Sequence, residues 1–203
     1  MKKISNNSNN ITNILSHIYF DNVFNKEEIA RIIEYCEKKE FLTATTGVEA
    51  SLNEAVRKSK VNFHNPNKEN KWIFERLNWA IEKMNADFYN FDLDGYDFFQ
   101  YSQYKSSQLG KYDLHMDMGM GDNKQTVGGK RKLSLTFLLS EPGVDFEGGD
   151  FQIVLGQEKD AKTIKMNKGL IIAFPSFVLH RVTPVTKGER KSIVVWVNGP
   201  KFK

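Results

Sequence analysis

The second half of this chain is a succession of short apolar runs, each closed by a turn signal. Lys132–Leu139, Phe151–Leu155, Gly169–Phe174 and Ser192–Val197 are the runs. Gly128-Gly129, Glu141-Pro142-Gly143, Gly148-Gly149 and Lys187-Gly188 punctuate them. Such runs are too short for amphipathic helices, and their β-branched and aromatic content suits strands. Many short strands between glycine and proline turns restrict the fold to a β-sandwich, a jelly roll or a barrel.

The first half reads differently. Ile18-Tyr19-Phe20 is a strand candidate. Asn25 with Glu28 three residues on makes a capping box, and Ile29, Ile32, Ile33 and Cys36 follow at helical spacing to about Lys39. A second helix spans about Lys71 to Asn85, with Trp72, Leu77, Ala80, Ile81 and Met84 on its apolar face. Phe88–Leu93 and Asp97–Tyr104 then alternate as strands. The expected class is α+β, mainly β: a jelly roll with the N-terminal helices packed on one sheet.

Length bears on how many such units to expect. The 203 residues suit one domain over 14–203, after an Asn/Ser-rich tail at 1–13 expected to be disordered. No stretch reaches the roughly 18 apolar residues of a membrane span, so no membrane partner is expected. Cys36 is the only cysteine, which excludes an intramolecular disulfide and any cysteine-built metal cage. It fits a reducing cytoplasm, that of a host cell if the chain is phage-encoded. The net charge of +4 permits an acidic partner without arguing for one.

Chemistry centres on the histidines. Of His17, His64, His115 and His180, His115 stands two residues before Asp117, so on a strand both point to one face. With His180 downstream they make two imidazoles and one carboxylate, the facial triad of non-haem Fe(II) oxygenases, which leaves coordination positions open. The spacing alone also allows core histidines or a zinc hydrolase, although no His-Glu-x-x-His is present. Ten residues after His180, Arg190-Lys191-Ser192 opens the last run. Pro184 and Gly188 lie between, so His180 and Arg190 are expected on adjacent antiparallel strands. Arg190, Ser192, Val194 and Trp196 share one face. An arginine with a hydroxyl beside it suits a carboxylate, while a surface ion pair with a glutamate is the plainer alternative.

The ordered blocks of the second half resemble a known family. Tyr104 through Gly110 to Tyr112-Asp113-Leu114-His115-Met116-Asp117 is similar to its Tyr, glycine loop, Tyr-x-x-His-x-Asp pattern. Arg131–Ser140, Glu147-Gly148-Gly149-Asp150-Phe151, and Gly169 through Phe174-Pro175-Ser176 to His180-Arg181-Val182 and Gly188-x-Arg190-x-Ser192 follow in the family's order. The chain thus resembles the Fe(II)/2-oxoglutarate-dependent dioxygenases of the prolyl 4-hydroxylase-like branch, bacterial and phage type, from about Tyr19 to Trp196.

The resemblance implies a double-stranded β-helix, a distorted, cupin-like jelly roll. It implies that His115, Asp117 and His180 hold iron, that Arg190 and Ser192 take the distal carboxylate of 2-oxoglutarate, and that Tyr104 hydrogen-bonds that cosubstrate. Tyr112 matches a position near iron or substrate, Trp196 an aromatic position of the last strand, and Arg57 in Arg57-Lys58-Ser59 a stretch of the microbial members. Core packing for the aromatics and a solvated basic turn for Arg57 are the structural alternatives.

The cofactors implied are Fe(II), 2-oxoglutarate and O2, with ascorbate as a stimulant. The reaction implied is hydroxylation of a C–H bond, of a prolyl residue in a peptide or protein, with release of succinate and CO2. Phe41–Asn70 and Met118–Lys130 are polar, loop-like stretches expected to lie over the substrate. Two features depart from the wider family: Phe137-Leu138-Leu139 lacks a tyrosine that some relatives use on the cosubstrate, and Arg190 stands where collagen-type enzymes have lysine. Other readings are a hydroxylase of a free amino acid or small molecule, a nucleic-acid demethylase, and a non-catalytic jelly-roll module. Trp196, in place of a second arginine six residues after Arg190, weighs against nucleic acid. Retention of the triad and Arg190 weighs against the non-catalytic module.

Overall fold

The structure, a computed structural model, describes residues 17–45, 55–118 and 130–200. The expected tail at 1–13 and most of the expected loop at 118–130 lie outside these.

Two sheets face each other. Strands β1 (Ile18–Phe20), β2 (Leu42–Thr43), β4 (Lys60–His64), β5 (Phe99–Lys105), β7 (Lys130–Leu138), β8 (Phe146–Gly148), β11 (Ile171–Pro175) and β13 (Val185–Gly199) form the larger sheet. Its order is β1-β11-β7-β13-β5-β4-β2, with β8 paired to β13. Strands β3 (Arg57–Lys58), β6 (Lys111–His115), β9 (Phe151–Val154), β10 (Lys162–Ile164) and β12 (Leu179–Val182) form the smaller, in the order β10-β9-β12-β6-β3. All the pairings between these strands are antiparallel. This is the expected jelly-roll architecture.

Helices α1 (Lys26–Glu37) and α2 (Lys71–Met84) cover the outer face of the larger sheet. The capping box of α1 is present: Glu28 N donates to Asn25 Oδ1 at 2.8 Å, and Asn25 N donates to Glu28 Oε2 at 2.9 Å. Ile29, Ile32 and Cys36 from α1 pack with Ile73, Leu77, Ala80 and Met84 from α2 against Phe99, Tyr101, Leu135, Phe137, Ile193 and Val195. Alternation then turns Tyr104, Leu138, Ile172 and Phe174 inward, toward Phe151, Ile153 and Val182 of the smaller sheet. The larger sheet is therefore buried on both faces, and the functional side chains have to lie on its inner one.

Four expectations change. Phe88–Leu93 is not a strand. The last turn of α2 widens into a π-helical turn at Asn85–Tyr89. Asn85 Nδ2 donates to Phe91 O and Asn85 Oδ1 accepts from Phe91 N, both at 2.9 Å, closing a loop that a ladder would have to break. The Phe41–Asn70 stretch is not simply a loop. Residues 46–54 lie outside the described ones, but β3 joins the smaller sheet and β4 the larger, because cross-strand partners supply what local polarity hides. Asp117 lies two residues beyond the end of β6 rather than on it.

His180 and Arg190 are not on paired strands. β12 pairs with β6 and β9, whereas β13 pairs with β5, β7 and β8. Thr183-Pro184 carries the chain from one sheet to the other, since proline cannot donate to a ladder and allows the crossing there. The two residues face each other across the sandwich. Among the described residues no helix is long and apolar enough to cross a membrane.

Candidate active site

His115 closes β6, and His180 on β12 stands directly opposite it in the ladder. Their rings are 4.2 Å apart between centroids. Asp117 reaches both: Oδ1 is 3.6 Å from His115 Nε2, and Oδ2 is 3.5 Å from His180 Nε2. One ligand atom from each of the three residues falls within 4.8 Å of the others.

The outer hydrogen bonds set the tautomers. His115 Nδ1 donates to Asp113 O at 2.7 Å, and His180 Nδ1 donates to Val178 O at 2.9 Å. These bonds aim each Nε2 at the cluster, and an imidazole held this way through Nδ1–H can bind a metal through Nε2. Burial pushes the His180 pKa down to about 4, so its ring is neutral at physiological pH. For Asp117 burial works the other way, but the two imidazoles and a hydrogen bond from Ser134 outweigh it, and its carboxyl is held below the usual carboxylate range. Two neutral nitrogens and one carboxylate are a donor set that fits Fe(II).

The loop after Asp117 is pinned from the larger sheet. Ser134 and Ser176 share a hydroxyl hydrogen bond of 2.8 Å, Met118 N donates to Ser176 O at 2.9 Å, and Ser176 N donates to Lys132 O at 2.9 Å. The sequence reading assigned Ser134 and Ser176 no role. Alternation on β7 puts Ser134 on the inner face, but nothing in the spacing says that Asp117 meets it.

Across the sandwich, β13 sends Arg190 into the interior. It is 2% exposed, and Nη1 donates to Ser192 Oγ at 3.0 Å. Its Cζ lies 5.6 Å from the Tyr104 ring, and burial pulls its pKa below the usual guanidinium value. Among the described residues no carboxylate comes within ion-pair distance of it. Asp150 acts on it only from beyond ion-pair distance, so this buried cation calls for an anion from outside the chain, and a dicarboxylate fits.

Glycines make the space for this arginine. A Cβ on Gly149, at φ +62°, would stand 2.9 Å from Val185 Cγ2 and 3.1 Å from Arg190 Cδ. A Cβ on Gly110 would stand 2.7 Å from Lys105 N and 2.9 Å from Tyr104 Cα, so only glycine lets that loop fold back on the tyrosine strand. Gly148-Gly149 and Gly110 thus have physical reasons beyond turn formation.

All nine residues singled out from the sequence face one cavity between the sheets: the triad, Arg190, Ser192, Tyr104, Tyr112, Trp196 and Arg57. Arg57 is buried, not a solvated turn, and its Cζ stands 4.5 Å from the Tyr112 ring. Tyr112 stacks on His115 at 3.5 Å. Phe151 and Phe174 close the wall around His180 at 5.8 and 4.6 Å. Sequence reasoning missed Gln100, which lines the cavity by sharing a strand face with Tyr104, and Arg131, whose Cζ lies 4.1 Å from the Trp196 ring.

A double-stranded β-helix with a two-histidine, one-carboxylate centre and a buried arginine opposite it defines the 2-oxoglutarate–iron oxygenase class. Residues 99–198 match the model of the 2OG-Fe(II) oxygenase superfamily. Over those residues, about half of its length, the chain is similar to the 2OG-Fe(II) oxygenases.

Curated relatives include a PKHD-type hydroxylase of Psychrobacter sp. (strain PRwf-1), 38% identical over 98 residues that cover 46% of this chain and 36% of that protein. Another, from Prochlorococcus marinus, is 40% identical over 93 residues, 46% of this chain and 38% of that one. The chain therefore spans less than half the length of these relatives.

Solved structures share the fold at low identity. A Pseudomonas putida prolyl-4-hydroxylase superposes with a TM-score of 0.70 at 17% identity, over 91% of this chain and 93% of that one. A Trichoplax adhaerens prolyl hydroxylase, in complex with a hypoxia inducible factor oxygen degradation domain peptide fragment, superposes with 0.72 at 17% identity. That match covers 94% of this chain and 86% of the other.

Proposed function

We propose that this domain hydroxylates an unactivated C–H bond of a prolyl residue in a peptide or protein, consuming 2-oxoglutarate and O2 and releasing succinate and CO2. The observation that carries the oxygenase reading is Arg190, a buried guanidinium without a carboxylate partner among the described residues, facing the triad across one cavity. The prolyl part is supported by what the structural neighbours are: prolyl hydroxylases, one of them bound to a peptide.

In this reading His115, Asp117 and His180 hold the iron, which supplies O2 activation when bound. Arg190 receives the distal carboxylate of 2-oxoglutarate through its planar fork, steadied by Ser192. Tyr104 presents its hydroxyl to the same cosubstrate from the facing strand, Arg190 and Tyr104 being cross-strand partners. Asp113 and Val178 carbonyls hold the Nδ1 protons of the two histidines and so keep each Nε2 free. Phe151 and Phe174 keep water from the centre.

The test is anaerobic. Fe(II) and then 2-oxoglutarate are added to the metal-free protein, and the visible charge-transfer band of the chelate is recorded for the wild type, Asp117→Ala and Arg190→Ala. A wild-type band weakened or lost in both variants supports the assignment, and proline-containing peptides are then screened for succinate release. Absence of the band, with iron left unbound, overturns the oxygenase reading. A normal band without succinate release on any prolyl peptide overturns only the prolyl part.

A further inference from the structure

A groove separate from the metal site runs along α2, between that helix and the loop at residues 91–96. Its volume is about 810 Å³, and none of its lining residues lines the cavity around the triad. Alternation on β13 sends Trp196 into that cavity and Val197 into the groove. A ligand seated here therefore does not compete with one at the triad.

Helix geometry sets the length of the groove. Lys71, Glu75, Asn78, Glu82 and Asn85 follow at steps of three and four residues and form one bank. From 71 to 85 that face runs about 20 Å at ~1.5 Å per residue, the length of about six extended residues. The opposite bank, Asp92–Asp94, is held in place. Asp94 N donates to Asn198 O and Asn198 N to Gly95 O, both at 2.8 Å. Gly199 passes so close to the Asp92 carbonyl that any Cβ there would clash. The floor is apolar, from Phe74, Ile81, Phe91, Tyr96 and Val197. Tyr96 stacks on Phe74 at 5.7 Å, and its hydroxyl is enclosed without a hydrogen-bond partner among the described residues.

The charge of the groove opposes that of the chain. On a protein of net charge +4 it gathers four carboxylates, Glu75, Glu82, Asp92 and Asp94, against the single ammonium of Lys71. Lys71 stands 3.5 Å from Glu75, and the other three carboxylates have no ion-pair partner among the described residues. Two acidic banks repel nucleic acid and anionic membranes. Carboxylates above aromatic rings suit a cation on a long apolar stem.

We propose that this groove docks an extended segment of a partner protein rich in lysine or arginine. Laid lengthwise, such a segment sends alternate side chains to the two banks. Glu75 and Glu82, about 10 Å apart along the helix, take the cations on one side, and Asp92 and Asp94 take those on the other. The stems lie on Phe74 and Phe91, and a carbonyl of the segment gives the Tyr96 hydroxyl the acceptor it lacks. A small amine would fill only part of this length, so the shape favours a peptide.

The test uses the full chain. The amidated hexapeptide Lys-Lys-Leu-Lys-Lys-Leu, labelled with fluorescein at its N-terminus, is titrated with protein and followed by anisotropy. Gln-Gln-Leu-Gln-Gln-Leu is the neutral control, and spermine is an unlabelled competitor of equal charge. The lysine peptide should bind at least about tenfold tighter than the glutamine peptide, and the preference should shrink with added salt. Glu82→Lys with Asp94→Lys should weaken it by about tenfold, with the Tm unchanged because both side chains are exposed. Tyr96→Phe should weaken it several-fold. Glu147→Lys, an exposed charge reversal outside the groove, should change it by less than about twofold.

Equal losses from Glu147→Lys and from the groove variant mean diffuse attraction and overturn the proposal. Spermine displacing the peptide at or below the peptide's own Kd overturns the choice of a peptide. A tenfold gain on deleting Lys201-Phe202-Lys203, which follow Pro200 at the groove's edge, makes the chain's own tail the occupant and overturns the partner.

Discussion

Arg190 should be a stability liability that 2-oxoglutarate relieves. Its guanidinium is 2% exposed and held by one hydrogen bond, Nη1 to Ser192 Oγ at 3.0 Å, with the Tyr104 ring 5.6 Å away. Taking such an ion out of water costs several kcal/mol, and one charge-assisted hydrogen bond returns about 2 kcal/mol of that. Arg190→Met removes the charge and keeps most of the stem packing against Gly149. The ligand-free variant is therefore expected to gain about 2 kcal/mol, or ~4–8 °C in Tm for a chain of this size.

Cosubstrate binding should move the opposite way. Removing one side of a desolvated charge pair costs about 3–5 kcal/mol, a 10²- to 10³-fold or greater rise in the Kd for 2-oxoglutarate. The assay is thermal unfolding of metal-loaded protein under nitrogen, with and without cosubstrate at about 100 times the wild-type Kd. Wild type should gain about 2.7 kcal/mol from the ligand and the variant almost nothing. A variant that is less stable when ligand-free yet still responds fully to 2-oxoglutarate refutes the view of Arg190 as an uncompensated cation awaiting this anion.

Three further outcomes are expected. Ser134→Ala removes a hydrogen bond to Asp117 and unties Ser176, so metal affinity should fall by about tenfold, read by competition with a chromophoric chelator, while the fold survives. Gly149→Ala forces a Cβ to 2.9 Å from Val185 and 3.1 Å from Arg190 at a positive φ, so it should cost about 1–3 kcal/mol in urea unfolding and weaken 2-oxoglutarate binding without affecting metal affinity.

The acid limb of stability follows from two histidines. Burial, its effect added to by Lys39 beside His64, holds both His64 and His180 at about 4 in the fold, against roughly 6.5 unfolded. Below pH 6.5 the unfolded chain takes up protons that the fold refuses. Their contribution, up to ~3 kcal/mol each, is present above pH 6.5 and is lost as pH falls to about 4. Equal urea midpoints for the metal-free protein at pH 7 and pH 4.5 would contradict this.

Much of the site was legible because it rests on alternation. The period of two on the last strand sends Arg190, Ser192, Val194 and Trp196 into the cavity and Ile193, Val195 and Val197 into the helix-facing core. Capping and periodicity gave both helices to within two residues. Where local pattern misled, a tertiary partner had overruled it. Phe88–Leu93 alternates like a strand, but its aromatics pack back on α2 and Asn85 closes the loop. Arg57-Lys58-Ser59 looks like a solvated turn, yet β3 pairs with β6 and buries the arginine against Tyr112.

What residue order alone determined is therefore the chemistry available and the face on which each strand carries it. Side-chain period two and the His-x-Asp spacing are local, covalent facts. The sandwich decided what meets what. It set His180 opposite His115 within one sheet, placed Arg190 opposite them on the other by crossing at Pro184, tied Ser134 to Asp117, and buried Arg57 against Tyr112 beside the metal site. Those juxtapositions depend on strand order and on the loss of water between two sheets, and no window of sequence contains either.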